Sequence, residues 1–302
     1  MKDGGGTLRA WLQASRLPSQ SYLALPLLLG QAVAVHMRGG ALDVGTLVAV
    51  QLFGVVDQLF IVYANDWADQ ETDRRNRTAT LFSGGSRVLV EGRLSPRALG
   101  LAAALCAGAL LALSLGLALV RGAPLLVPLA VAALGLLWAY SYPPLRLSYR
   151  GGGELLQMVG VAGVLPLYGY VAQGGDAGRF PWALVALLLP THLACAIATA
   201  LPDEPSDRES GKRTLPARVG GERAAWVIVA LNGLSLALTP WGLGVLGLSA
   251  GLGLLVPGVA ALAVPLVRPA PPGSRLIQLR VAAAITATLA TVALPLLGLA
   301  GT

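Results

Sequence analysis

The residues that could do chemistry are gathered in two acidic stretches, each at the end of a long apolar run. The first reads Asn65-Asp66-Trp67-Ala68-Asp69-Gln70-Glu71-Thr72-Asp73. Asp66, Asp69 and Asp73 stand at i, i+3 and i+7, so a helix continuing through them would project all three from one face. The second reads Asp203-Glu204-Pro205-Ser206-Asp207-Arg208-Glu209, with Asp203 and Asp207 one turn apart. Two such clusters facing each other suit Mg²⁺, with Mn²⁺ as the alternative. A hard cation takes oxygen ligands, rarely gets a full protein cage, and leaves positions for phosphate oxygens. Basic residues follow both clusters: Arg74, Arg77 and Arg87 after the first, Arg208, Lys212 and Arg213 after the second. Carboxylates that collect a metal, beside cations that bind phosphate oxygens directly, are equipment for a diphosphate. Arg75, Arg93, Arg97 and Arg218 read instead as solvated loop charges.

The elements that must position these groups are membrane spans. Of the 302 residues 55% are hydrophobic and 12% charged, and the mean hydropathy is +0.68. Soluble domains carry roughly 25% charged residues, so the composition implies an all-α integral membrane protein. Apolar segments at 19–36, 45–65, 97–120, 124–141, 153–173, 180–201, 223–241, 243–267 and 276–299 predict about nine spans in a single domain over 1–302. The formal charge of +7 does not form a continuous basic surface for nucleic acid; it marks topology. Basic residues crowd the start of the chain and the connections after the second, fourth, sixth and eighth segments, leaving Arg38, Arg121 and Arg179 for the opposite side. That asymmetry predicts a cytoplasmic N-terminus, both acidic clusters at the cytoplasmic face of the cell membrane, and a C-terminus outside. The basic start and Ala32-Val33-Ala34 have the outline of a leader, but nothing downstream reads as a secreted domain, so the first apolar run is expected to remain as a span. Cys106 and Cys195 lie in apolar runs and read as packing residues in a disulfide-free chain. The clusters lie four helices apart, each before a basic loop, which suggests a weak internal duplication.

Asn65-Asp66 with Asp69 and Asp73 resembles the NDxxDxxxD signature of the UbiA superfamily of membrane prenyltransferases, and Asp203 with Asp207 is similar to that family's second motif. Ala14-Ser15-Arg16 with Pro26 and Gly30 resembles the family's first helix, and Tyr140-Ser141-Tyr142-Pro143-Pro144-Leu145-Arg146 its tyrosine-containing segment after helix four. Three stretches resemble the branch acting on 1,4-dihydroxy-2-naphthoate in menaquinone synthesis. They are Gly84-Gly85-Ser86-Arg87-Val88 with Glu91-Gly92-Arg93-Leu94, Pro144 to Tyr149 with Gly151-Gly152-Gly153-Glu154, and Asp207 to Leu215. Two features depart from that branch: Leu201-Pro202 stands where polar residues are usual, and Pro205 lies inside the second motif. Proline disfavours helix at the residue before it, so the sixth helix is expected to end near Asp203.

The resemblance implies that a polyprenyl diphosphate lies between helices with its head group at the membrane rim. It implies that Mg²⁺ bridges Asp66, Asp69, Asp73, Asp203 and Asp207 to the diphosphate, with Asn65 as ligand, orienting group or helix cap. A small aromatic acceptor would then attack the allylic carbon. Tyr63, Tyr140, Tyr142 and Tyr149 are candidates for cation stabilisation or acceptor contact; Arg146 is a phosphate or acceptor contact, and Glu154 a helix-start charge or acceptor group. The acceptor could instead be 4-hydroxybenzoate, homogentisate, a chlorophyllide, haem or a glycerol-phosphate lipid. A cation or lipid transporter is the reading from another class, but its acidic groups would be expected near mid-membrane. Asp57 is expected to bond between helices, His192 to be a satisfied core residue and Asn232 to join helices.

Overall fold

The computed structural model describes residues 4–77, 80, 84–248, 270–271 and 273–300, and all regular structure among them is helical apart from one isolated bridge residue. In chain order the helices are α1 (Gly4–Ala14), α2 (Gln20–Arg38), α3 (Val44–Ala68), α4 (Gln70–Arg75), α5 (Pro96–Arg121) and α6 (Leu126–Ser141). They continue with α7 (Gly153–Val159), α8 (Leu165–Ala172), α9 (Trp182–Ala200), α10 (Glu204–Ser210), α11 (Leu215–Val219), α12 (Gly221–Gly244) and α13 (Arg275–Ala300). Eight of the apolar segments coincide with these helices; the segment at 243–267 lies, after its first residues, outside the described residues.

Six described helices are long and apolar enough to cross a membrane, counting α7 and α8 as one run, Gly153–Ala172. Two expected spans fall short of that measure. The apolar run of α2 is diluted by Gln20, Gln31, His36 and Arg38, and α6 has only 16 residues. The expected count of nine is therefore not reached among the described residues.

Local signals fix the helix ends. The Asp43 carboxylate accepts from Thr46 N at 2.8 Å to start α3, and Ser95 Oγ accepts from Ala98 N at 3.2 Å to start α5, with Pro96 in its first turn. Gly39 and Gly122 close α2 and α5 in the left-handed region. Pro166 cannot donate to a carbonyl one turn back, and just before it the ladder widens to five residues, with Leu165 N on Gly160 O.

The core packs α2 against α8 and α3 against α5, with α9 held between α12 and α13. Glycine permits the α2–α8 approach: a Cβ on Gly30 would stand 1.9 Å from Pro166 O, and one on Gly169 2.2 Å from Leu27 O. Small residues at such crossings gain packing that a bilayer does not otherwise drive. Phe53 of α3 stacks on Tyr168 of α8 at 4.0 Å, and Tyr168 bonds Ser114 of α5 at 2.9 Å. Asn232 joins helices as expected: it accepts from Thr191 at 3.2 Å, and Thr191 bonds Thr288. Both cysteines are free. At the opposite end from the acidic clusters, Arg121 pairs with Asp43 at 2.9 Å and Gln173 holds the Asp43 backbone.

Replacing Gly169 by valine should force α2 and α8 apart and cost about 2 kcal/mol or more. A lowered unfolding midpoint in detergent, with no comparable loss for the uncrowded Gly108→Ala, is the expected result.

Candidate active site

The first acidic stretch is not one straight helix. α3 ends at Ala68 and α4 begins at Gln70, with Asp69 between them at φ −99° and ψ 12°. Short polar residues compete with the helical backbone, and Asp69 marks the kink. The hydrogen-bond ladder nevertheless passes through it, Asp69 N to Asn65 O and Asp73 N to Asp69 O, both 2.9 Å. Asp66, Asp69 and Asp73 consequently all turn inward and are buried. α9 ends at Ala200, three residues before the expected boundary. A turn leads to α10, where Pro205 sits in the first helical turn and costs no hydrogen bond. Asp207 N bonds Asp203 O at 2.8 Å, keeping the pair one turn apart.

A glycine loop draws the two stretches together. Gly84 N donates to Asp203 Oδ2 at 3.1 Å, and Asn76 Nδ2 donates to Asp203 Oδ1 at 2.7 Å. Gly85, at φ +70°, passes so close to Asp73 that a Cβ would stand 2.1 Å from Oδ2. Ser86 bonds Asp66 through both its backbone N and its hydroxyl. Arg87, also at positive φ, donates to the carbonyls of Asp73 and Asn76, each at 3.3 Å. The non-glycine residues at positive φ among those described are Arg16, Arg87 and Arg146, all beside these carboxylates or the tyrosines that face them. Such backbone is held only where the surroundings over-determine it.

Cations reach the cluster from opposite sides. Arg16 forms a salt bridge with Asp66, and Lys212 donates to Asp69 Oδ2 at 2.7 Å with its side chain 11% exposed. Burial alone would lower the Lys212 pKa, but Asp69, Tyr140 and Asp207 outweigh it and hold it above the ordinary value. Asn65 donates to Asp69 at 3.2 Å. Tyr149 OH meets Thr72 at 2.7 Å and Asp69 at 3.3 Å, with the Arg146 guanidinium 3.6 Å above its ring. Tyr142 donates to Ala64 O at 2.7 Å, and burial followed by the Asp69 charge pushes its pKa to about 12. Burial, then the charges of Asp69 and Asp66, pushes Asp73 to about 7 against the pull of Arg16 and Lys212. Burial pushes Asp207 to about 7 despite Lys212 and a 2.8 Å bond from Thr214.

Several expected contacts lie elsewhere. Arg208 pairs with Glu204 at 2.9 Å and caps Ala217 O at 3.0 Å; Arg74 reaches toward Glu71 at 3.8 Å and is exposed, as is Arg77. Glu154 accepts from Leu215 N at 2.6 Å, tying α7 to α11. His192 and Asp57 are buried within the bundle, apart from the cluster. His192 Nε2 and Asp57 Oδ1 have no hydrogen-bond partner, so His192 is satisfied only through Nδ1 on Leu188 O at 2.9 Å. Tyr63, one helical turn from Asp66, bonds Ser15 at 2.9 Å and stands edge-on to Trp11. Arg16, Ser86, Asn76 and Thr214 contact the acidic residues, and Thr72 bonds the tyrosine that reaches Asp69, although their spacing does not announce them.

Among the described residues no three carboxylates lie in one coordination sphere, because Arg16, Ser86, Asn76 and Lys212 now hold them separately. The donor set still fits a hard divalent cation. Asp66, Asp69, Asp73 and Asp207 are nearly enclosed with Asp203 beside them, and the burial and neighbouring negative charge that together raise Asp73 are what such an ion would offset.

Residues 23–277 match the family model described as the UbiA prenyltransferase family. The chain belongs to the UbiA prenyltransferase family. It is 32% identical over 254 residues to a protoheme IX farnesyltransferase of Thermus thermophilus, the match covering 81% of this chain. The chain spans only 38% of that relative's length. It is also 32% identical over 250 residues to a digeranylgeranylglyceryl phosphate synthase of Natronomonas pharaonis, covering 78% of this chain and 82% of the relative. The fold resembles the apo structure of a UbiA homologue from Aeropyrum pernix, with a TM-score of 0.67 and 22% identity over 92% of this chain and 96% of that one. It also resembles a UbiA homologue from Archaeoglobus fulgidus bound to GPP and Mg²⁺, with a TM-score of 0.59 and 16% identity over 92% of this chain and 99% of that one.

The raised carboxyls set a pH test for the UbiA-family chain. Unfolded carboxyls titrate near about 4, whereas Asp73 and Asp207 titrate at about 7 in the fold. Between those values the folded protein binds more protons, so stability should rise as pH falls. Without divalent cations the unfolding midpoint should increase from pH 8 to pH 6.5, and saturating Mg²⁺ should raise it at pH 8. A midpoint that falls over that interval would contradict the assignment.

Proposed function

We propose that this chain transfers a polyprenyl group from its diphosphate to an acceptor, and that the acceptor is 1,4-dihydroxy-2-naphthoate. The observation that carries the transfer reading is the junction at Gly84–Arg87, which ties Asp66, Asp73 and Asp203 into one pocket wall beside Arg16 and Lys212. Asp66, Asp69, Asp73, Asp203 and Asp207, with Asn65, would hold Mg²⁺. Bound there, Mg²⁺ neutralises diphosphate oxygens and stabilises pyrophosphate as a leaving group.

The chain's own groups have distinct tasks. Arg16 and Lys212 exchange their carboxylate partners for phosphate oxygens, and Arg87 adds charge from the loop. As the allylic C–O bond breaks, positive charge develops on carbon, and the ring faces of Tyr149 and Tyr140 are the candidates to stabilise it. Burial of the cluster excludes water that would hydrolyse the cation. The electron-rich acceptor ring then bonds to the allylic carbon; when the attacked ring carbon carries a carboxylate, CO₂ leaves with the C–C electrons restoring the ring, and when it carries hydrogen, a proton leaves instead.

The naphthoate assignment rests on the Gly84–Val88, Pro144–Tyr149 and Asp207–Leu215 stretches. A second reading is favoured by the relatives, whose names point to haem or a glycerol-phosphate lipid as acceptor. The basic loops support placing the site at the cytoplasmic face of the cell membrane, with the N-terminus on that side and the C-terminus outside.

Purified protein in nanodiscs, given Mg²⁺, a long-chain polyprenyl diphosphate and each acceptor in turn, should yield a prenylated, decarboxylated naphthoquinol by mass spectrometry. Asp66→Ala and Asp69→Asn should each lower turnover by about a hundredfold or more, and Lys212→Gln should raise KM for the diphosphate. Product from haem or a glycerol-phosphate lipid alone would replace the acceptor; no product or pyrophosphate from any would sink the transfer reading.

A further inference from the structure

Outside the acidic pocket, a groove of about 680 Å³ opens between the ends of α3, α5 and α6 nearest the carboxylates. Trp67, Arg97, Gly100, Leu101, Trp138 and Tyr142 are among the residues lining it. Its walls are apolar and half exposed, with Trp67 at 43%, Trp138 at 45% and Leu101 at 63%. Gly100 leaves the floor open, since a Cβ there would stand 3.1 Å from the Trp67 indole nitrogen. Tyr142 bonds Ala64 O within the lining, and no carboxylate is among the residues that line the groove. Arg97 is exposed at the lining and pairs with no carboxylate among the described residues, while Trp67 bonds no protein group through its N–H.

We propose that this groove binds one phospholipid with an anionic head group from the adjoining leaflet. An acyl chain fills the apolar trough beside Leu101 and Gly100. The phosphate takes the Arg97 guanidinium, and a lipid ester oxygen accepts from the Trp67 indole N–H. Charge complementarity selects the occupant: an exposed cation at the start of α5, beside an apolar trough, is matched by one anionic head group and its chain. The lining includes none of the pocket's carboxylates, so this site is independent of the acceptor's identity.

The test uses the whole chain in phosphatidylcholine nanodiscs containing a small fraction of phosphatidylglycerol, read by native mass spectrometry. One phosphatidylglycerol should be retained in preference to phosphatidylcholine. Arg97→Gln should lower that retention about fivefold, Gly100→Leu should abolish it by filling the trough, and the exposed Arg223→Gln should leave it unchanged. Because Arg97 is exposed, its variant reads the site even if Gly100→Leu fails to fold. Equal retention of the two lipids, retention unchanged in Arg97→Gln, or an equal loss in Arg223→Gln would overturn the proposal. So would a dimer mass in the wild type that Gly100→Leu removes, which would make a second copy of the chain the occupant.

Discussion

Burial of mutually repelling carboxylates at one end of a helix bundle is the constraint from which the rest of this structure follows. Asp66, Asp69, Asp73 and Asp207 are each at most 8% exposed. Water cannot screen them, and an uncompensated buried charge is among the most expensive groups a fold can carry. Compensation arrives from separate parts of the chain: Arg16 from the segment before α2, Ser86 from the glycine loop, Lys212 from the segment after α10. No single element builds the site. Its geometry is a property of the assembled bundle, and the cations it gathers do not offset the burial that raises Asp73 and Asp207.

The same constraint explains why glycines and left-handed arginines crowd this region. To reach Asp66, Asp73 and Asp203 at once, the backbone at 84–87 must pass within contact distance of carboxylate oxygens. Gly85 meets that demand because any Cβ would overlap Asp73. Arg87 accepts a positive φ because its guanidinium is fixed by two carbonyls, and Arg146 because it is stacked on Tyr149. The strain is local and is repaid by contacts that hold the acidic motifs in register.

Much of the architecture is legible from residues alone, for definite reasons. Apolar runs in this chain are long and end at charged loops, so hydropathy locates α3, α5, α9, α12 and α13 within a few residues. The acidic motifs are legible because five aspartates at helical spacing beside such runs have few other uses. Arg16, Ser86, Asn76 and Thr214 are not legible in that way. Arg16 meets a partner 50 residues along the chain and Asn76 one 127 residues along, and a single polar residue carries no periodicity. Two of the expected phosphate-binding residues have local partners instead. Arg208 and Arg74 stand four and three residues after Glu204 and Glu71, and in this structure each lies beside that local carboxylate. α2 was placed correctly from its apolar run, yet its polar Gln31 and His36 keep it below the hydropathy of the other spans.

The position of charge within the bundle also separates the two classes of membrane protein weighed from the sequence. A pathway for cations would be expected to place acidic groups near mid-membrane. Here Asp57 is the one carboxylate inside the long described spans away from their ends, and it faces the Phe53, Tyr168 and Ser114 packing. The remaining acidic residues of the pocket sit where α3 and α9 give way to short polar helices. Beneath them the α2–α8 crossing is closed by glycine-mediated backbone contact, which leaves no aqueous route through that seam. The pocket's carboxylates are thus gathered at one end of the bundle, above a core packed to backbone contact, in a chain that belongs to the UbiA prenyltransferase family.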